Sequence, residues 1–142
     1  MQCCKNDYWE LHELSFQYHL IFDYYDGPLE GITSCSVCHQ GFYYKLLEWD
    51  KDTLDCRVFG FSEIDFTGEQ LAESLGFKHL IRENGGIVSP EYLTNFSFSP
   101  PPATHLCHSD DGFKTGFWRR RMSSDDDVTD WIKYFGLMPP ND

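Results

Sequence analysis

Two groups of cysteine and histidine contain the residues whose types and spacing could do chemistry. The first lies at residues 35–39 and reads Cys-Ser-Val-Cys-His, and the second, at 105–108, reads His-Leu-Cys-His. Zinc is held in proteins by four such thiolate or imidazole ligands arranged as a tetrahedron. The candidate ligands for a site shared by both groups are Cys35, Cys38, His39, His105, Cys107 and His108.

The first group also matches the C-x-x-C-H pattern that attaches c-type haem. The alternation around it predicts that Cys35 and Cys38 lie in a strand, just before a turn at His39. Residues i and i+3 of a strand face opposite ways, which separates the two thiols. We therefore expect no haem or other cofactor, with the cysteines as small buried residues and His105 and His108 exposed.

Motifs for catalysis are missing from the sequence. It contains no G-x-S-x-G, no G-x-x-x-x-G-K-[ST] and no G-x-G-x-x-G. Asp23 and Asp26 could serve acid–base chemistry, but carboxylates beside a predicted β-turn are usually turn formers. The balance favours a protein that is not an enzyme, and a small enzyme with an unrecognised site stays an alternative.

The charge of the chain favours a basic partner. Its formal net charge is −12, and residues 1–71 hold 13 acidic against 4 basic side chains. Such a field repels nucleic acid and anionic membranes, and it attracts positively charged proteins. The sequence therefore predicts no nucleic-acid or membrane partner.

The cellular compartment is predicted to be the cytoplasm. Residues 1–5 lead into polar and acidic positions, unlike a secretory signal, and no run approaches the roughly 18 apolar residues of a membrane span. Without export, the six cysteines are expected to be reduced thiols.

Residues 18–64 have the pattern of an antiparallel meander. Turn signals stand at Asp26-Gly27-Pro28, His39-Gln40-Gly41 and Asp50-Lys51-Asp52. Aromatic and aliphatic residues alternate between them with the period of a half-buried strand. The run from Leu14 to Tyr24 alternates in the same way, which places Phe16 and Leu20 on one face.

Two helices complete the predicted elements. Thr67 and Gln70 form a capping box for a helix at 67–76, and Ser124 begins a second helix at 124–135. Residues 1–7 are expected to be a loose lead-in, and residues 99–112 a proline-rich surface loop.

The 142 residues are enough for one domain with one core. The predicted fold is α+β: a twisted antiparallel sheet of about five or six strands, covered by the two helices. The predicted core residues are Leu20, Phe22, Ile32, Tyr44, Leu46, Val58, Leu71, Leu75, Trp131, Ile132 and Phe135.

A resemblance covers about a third of the chain. The stretch 22–32, Phe-Asp-Tyr-Tyr-Asp-Gly-Pro-Leu-Glu-Gly-Ile, followed by Phe42-Tyr43-Tyr44 and Trp49-Asp50, resembles small bacterial proteins of uncharacterised function. That resemblance implies a bacterial cytosolic β domain and no activity. In general character, short, acidic and rich in aromatic residues, the chain is also similar to immunity proteins of bacterial toxin systems.

The function expected from these features is a non-enzymatic, acidic binding protein that neutralises a basic partner such as a toxin nuclease. Acidic side chains near the predicted turns would steer the partner, and exposed aromatic residues would anchor it. The predicted partner-binding residues are Asp23, Tyr24, Tyr25, Asp26, Glu30, Glu48, Trp49, Asp50, Asp52 and Asp55. The alternative is a zinc- or thiol-dependent protein using the two Cys/His groups.

Overall fold

A single eight-stranded sheet makes up most of the part of the chain that the structure describes. The computed structural model describes residues 3–6, 8–12, 15–24, 28–49, 57–76, 86–88, 98–109 and 112–120. Its elements are β1 (Tyr8–Leu11), β2 (Phe16–Tyr24), β3 (Pro28–Cys35), β4 (Gly41–Trp49), β5 (Arg57–Ile64), α1 (Gly68–Leu75), β6 (Gly86–Ile87), β7 (His105–His108) and β8 (Gly116–Arg120). The strand order is β1-β8-β7-β5-β4-β3-β2-β6. Neighbouring strands are antiparallel except β2 and β6, which are parallel, so the sheet is mixed.

The α+β prediction is wrong. The described part of the chain is mostly one large mixed sheet with a single short helix, rather than five or six antiparallel strands under two helices. The predicted meander accounts for β2 to β5, but β1, β7 and β8 extend the sheet beyond β5. The second predicted helix, 124–135, lies outside the described residues. No helix in the described ranges is long and apolar enough to cross a membrane.

Helix α1 begins and ends where the sequence predicts. The Thr67 hydroxyl accepts from the Gln70 amide, and the Gln70 side chain accepts from the Thr67 amide, which completes the capping box. Gly76 ends the helix in the left-handed region, at φ 83°. Leu71 and Ala72 are buried against the sheet.

The sheet curls until strands that are not neighbours touch. Four strands separate β2 from β8 in the sheet order, yet the rings of Phe16 and Trp118 lie 5.4 Å apart. Trp9 of β1 also meets Phe16, with ring centroids 6.4 Å apart. The curl encloses the main core, whose buried members are Cys4, Trp9, Leu11, Phe16, Cys35, Phe42, Tyr44, Phe59, Phe61, Cys107, Phe113 and Trp118.

A register shift in β2 divides that strand between two faces. Phe16 pairs with Cys35 and Leu20 with Ile32, so β2 uses one residue more than β3 over this interval. Phe16 consequently packs in the main core, whereas Leu20 packs in a second cluster on the other face. The expectation that Phe16 and Leu20 share a face is wrong because the extra residue reverses the alternation.

The second cluster lies between the sheet and α1. Its buried residues are Leu20, Ile32, Tyr43, Ile64, Leu71, Ala72 and Val88. Of the predicted core, Leu20, Ile32, Tyr44, Val58 and Leu71 are buried, and Phe22, Leu46 and Leu75 are partly buried. The remaining three, Trp131, Ile132 and Phe135, lie outside the described residues.

Two segments predicted to be loose are part of the packed structure. The predicted surface loop at 99–112 contains β7, which pairs with β5 on one side and β8 on the other. In the predicted lead-in, the Asn6 amide donates to the Cys3 carbonyl at 2.9 Å, which closes a turn. Cys4 in that turn is only 3% exposed, because it packs against the main core.

Candidate metal centre

The residues that follow β3 form a tight turn that places two thiols on one side. The Cys35 amide donates to the Gln40 carbonyl at 3.0 Å, and the His39 amide donates to the Cys35 carbonyl at 2.9 Å. His39 itself has φ 63°, the left-handed conformation that lets the chain reverse direction. The prediction that Cys35 and Cys38 lie together in a strand is wrong, since β3 ends at Cys35.

Backbone N–H groups of this turn point at the sulfur atoms. The Val37 amide donates to Cys35 Sγ at 3.4 Å. Sulfur that accepts hydrogen bonds from the backbone holds negative charge more readily, which suits a thiolate ligand. The turn therefore provides a backbone donor that would stabilise a thiolate at Cys35.

The N-terminal turn supplies a second pair of cysteines to the same point. Cys3 Sγ lies 3.8 Å from Cys35 Sγ, and Cys4 Sγ lies 3.2 Å from Cys38 Sγ. Cys3 Sγ and Cys4 Sγ are 4.0 Å apart. All four sulfur atoms lie within 4.8 Å of one another.

These separations match a tetrahedron of sulfur around one metal ion. A zinc–sulfur bond of about 2.3 Å gives a sulfur–sulfur edge of roughly 3.8 Å. Three of the six sulfur–sulfur separations, 3.2, 3.8 and 4.0 Å, lie within about 0.6 Å of that value. Cys4 and Cys35 are buried and Cys3 and Cys38 half-buried, so the centre is largely shielded from solvent.

The thiols of the cluster differ in their affinity for protons. The pKa of Cys35 is lowered to about 4, first by its hydrogen bond with Cys4 and then by backbone amides that include that of Val37, against the effect of burial. The pKa of Cys4 is raised, first by the hydrogen bond with Cys35 and then by burial. Burial is also the main cause of the raised pKa of Cys38. The hydrogen bonds around Cys35 thus stabilise its thiolate form.

Two of the six predicted metal ligands lie at the candidate metal centre. Cys35 and Cys38 belong to the sulfur cluster, whereas exposed His39 bonds through Nδ1 to the Gln17 side-chain amide at 3.1 Å. The expectation that His105 is exposed is wrong, because its ring is buried and stacks on Trp118 with ring centroids 4.7 Å apart. The remaining two, Cys107 and His108, lie in β7 and are not among the cluster's ligands.

Sequence reasoning missed Cys3 and Cys4. The available signal is a vicinal Cys-Cys pair in a chain that also carries C-x-x-C, which together offer four thiols, the number of ligands in a structural zinc site. The pair was assigned to a loose lead-in because nothing local indicates that it folds back onto the turn after β3.

The predicted partner-binding residues are only partly described. Asp23 and Tyr24 are exposed at the end of β2, with Tyr24 52% accessible. Glu30 is half-buried and accepts a hydrogen bond from the Tyr43 hydroxyl. Glu48 and Trp49 lie at the end of β4. The others, Tyr25, Asp26, Asp50, Asp52 and Asp55, fall outside the described residues.

Known proteins provide no further guide to this centre. No protein-family model matches the chain, and neither a curated protein nor a solved structure is similar enough to indicate a relationship. A functional proposal must therefore come from the chemistry of the four thiols.

Proposed function

We propose that this protein is a non-enzymatic domain that binds one zinc ion through four thiolates, and that the ion fastens the N-terminal turn to the turn after β3. The four ligands are Cys3, Cys4, Cys35 and Cys38. The observation that carries the proposal is the convergence of their sulfur atoms to within 4.8 Å of one another.

The donor set favours zinc over other metals. Four soft thiolates in a tetrahedron suit zinc or iron, and they suit magnesium or calcium poorly. In a polynuclear iron–sulfur cluster, thiolates bound to different iron atoms are spread apart by the inorganic core. Four sulfur atoms within 4.8 Å of one another, with three of the pairs 3.2 to 4.0 Å apart, fit a single ion instead. Zinc needs no redox partner and accepts this geometry without strain.

The role of the ion would be structural. Four protein ligands close the coordination sphere, whereas catalytic zinc keeps one position open for water or substrate. The site joins residues that precede β1 to residues that follow β3, and four strands lie between β1 and β3 in the sheet. The ion would therefore hold the sheet in its curled form, and a reducing cytoplasm would keep the thiols available.

Elemental analysis of untagged protein purified without chelators tests the proposal. We expect about one zinc per chain, as for structural sites generally. Serine at Cys35 should reduce the zinc content severalfold, while Cys107→Ser, which changes a buried cysteine outside the cluster, should leave it unchanged. Less than about 0.2 zinc per wild-type chain, after incubation with excess zinc under reducing conditions, would refute the proposal.

A basic protein partner, such as a toxin nuclease, is a second candidate function. Its support is the net charge of −12 and the exposure of Asp23 beside Tyr24, which is 52% accessible. Tyrosine next to a carboxylate provides an anchor and a charge for a cationic surface. A pull-down from host cells tests this candidate. It predicts a basic protein that the wild type retains and that a D23K/Y24A variant loses, and equal retention by both would contradict it.

A further inference from the structure

The cysteine cluster contains a pair of thiols placed to form a disulfide when the metal leaves. Building on the proposed zinc centre, we propose that peroxide converts it into a Cys4–Cys38 disulfide, which releases the ion and keeps the same two turns joined. The centre would then have two exchangeable forms, one held by zinc and one by a covalent bond.

Distance selects Cys4 and Cys38 within the cluster. Their sulfur atoms are 3.2 Å apart, the shortest of the three separations measured there, against 3.8 Å for Cys3 and Cys35. A bond between the neighbours Cys3 and Cys4 is disfavoured, because adjacent Cα atoms are about 3.8 Å apart and disulfides usually need at least about 4.4 Å.

Accessibility indicates which thiol reacts first. Cys3 and Cys38 are half-buried, so a small peroxide can reach their sulfur atoms, whereas Cys35 is 0% exposed and Cys4 is 3% exposed. Reactive cysteines are those that combine thiolate character with access to solvent. As zinc ligands all four sulfur atoms would be thiolates, so access decides between them. Of the two accessible ones, Cys38 has the nearer partner, since its sulfur lies 3.2 Å from Cys4 Sγ, against 3.8 Å between Cys3 Sγ and Cys35 Sγ. Cys38 would therefore meet the oxidant, and the buried Cys4 beside it would complete the bond.

The chemistry balances with hydrogen peroxide as the oxidant. The Cys38 thiolate attacks one peroxide oxygen, the O–O bond breaks, and the departing hydroxide takes up a proton to become water, which leaves a sulfenic acid on Cys38. The Cys4 thiolate attacks that sulfur, the S–O bond breaks, and a second hydroxide leaves and is protonated to water. Two thiolates lose two electrons in total, and one peroxide becomes two waters. Zinc, left with two of its four ligands, passes to a chelator in solution.

The disulfide would preserve the connection that the ion provided. Cys4 and Cys38 are 34 positions apart in sequence, so the bond joins the N-terminal turn to the turn after β3 as the ion does. Chelation of zinc under reducing conditions removes the connection altogether. Oxidised, zinc-free protein should therefore unfold at a higher temperature than reduced, zinc-free protein.

The experiment oxidises zinc-loaded protein with hydrogen peroxide in the presence of a colorimetric zinc chelator. Zinc release is recorded, free thiols are then alkylated, and disulfides are mapped by peptide mass spectrometry. We expect one zinc released per disulfide, Cys4–Cys38 as the main linkage, and reversal by a thiol reductant with added zinc. The melting temperature of the oxidised protein should exceed that of the reduced, chelated protein.

One variant and one control make the result decisive. Cys38→Ser should abolish the disulfide, whereas Cys107→Ser should retain both zinc release and the linkage. A main linkage through Cys35, sulfinic acid in place of a disulfide, or a melting temperature no higher than that of the chelated protein would overturn the proposal. Zinc content is measured before oxidation, so absence of zinc refutes the metal centre itself. Peroxide oxidation of the metal-free protein, followed by disulfide mapping, then still tests the pairing.

Discussion

Cys4 Sγ and Cys38 Sγ lie 3.2 Å apart, although 34 positions of sequence separate the two residues. Cys4 precedes β1 at one edge of the sheet, and Cys38 follows β3 near the other edge. The contact thus joins two distant parts of the curled sheet through residues that lie outside its strands. The hydrogen bonds between neighbouring strands do not by themselves fix the curl of the sheet. A metal ion at this point would stabilise the curled form.

Removal of zinc should lower the stability of the reduced protein. A ligand that binds only the native state stabilises it by about 2.7 kcal/mol when its free concentration is 100 times Kd. For a domain of this size we expect chelation to lower Tm by on the order of 10 °C. Differential scanning calorimetry with and without a chelator measures the change. In Cys4→Ser the chelator should have little further effect, and an equal decrease in wild type and variant would contradict a role for the cluster.

Substitutions of His39 should show whether this residue serves the conformation of the turn or binds the metal. His39 has φ 63°, which glycine adopts without strain and a β-branched residue does not. We expect His39→Gly to keep full zinc content and to lie within about 1 kcal/mol of wild type in stability. His39→Val should destabilise the protein by about 1–2 kcal/mol. Urea denaturation and elemental analysis measure both quantities, and loss of zinc in His39→Gly would show that the imidazole is a ligand.

The buried tyrosines should make the zinc-loaded protein sensitive to alkali. Burial, with the neighbouring Glu30 carboxylate as a second cause, raises the pKa of Tyr43 and of Tyr44 above the usual value. A raised pKa contributes stability that is fully present below the unfolded value of about 10 and is lost as the pH rises towards the folded value. Urea midpoints should therefore fall above about pH 10. Tyr43→Phe should reduce that fall, and an unchanged pH profile would contradict the assignment.

The aromatic core should be the largest single source of stability in the described sheet. Trp118 is 0% exposed and contacts the rings of Trp9, Phe16 and Phe61. Truncation of such a residue costs about 3–5 kcal/mol, because it removes apolar burial and leaves a cavity. We expect that loss for Trp118→Ala in urea denaturation. Ile87→Ala, at a residue 64% exposed, serves as the control and should change stability by less than about 0.5 kcal/mol.

Local chemistry explains what the sequence could predict. The capping box at Thr67 and the stop at Gly76 act within a few residues, so the sequence predicts both caps of α1. Alternation of apolar residues likewise predicts β4 and β5, because each residue's face depends only on its neighbours. The sequence does not predict the reversal in β2, because the extra residue can be recognised only from the pairing with β3. In that pairing Phe16 lies opposite Cys35 and Leu20 lies opposite Ile32.

The candidate metal centre could not be predicted from any local pattern in the sequence. The turn after Cys35 depends on a left-handed residue, and His39 is a less obvious choice for it than glycine. The convergence of Cys3 with Cys35 joins residues 32 positions apart, which follows only from the folded sheet. The second Cys/His group, at residues 105–108, does not join the sulfur cluster for a similar reason, since strand pairing places His105 and Cys107 in the interior.

X-ray absorption at the zinc edge tests the central claim most directly. Zinc-loaded, reduced protein should show a single shell of four sulfur atoms at about 2.3 Å from the metal. No nitrogen or oxygen shell at about 2.0–2.2 Å should be needed to fit the spectrum. A coordination sphere with fewer than four sulfur atoms, completed by imidazole, carboxylate or water, would contradict the tetrathiolate centre formed by the two turns.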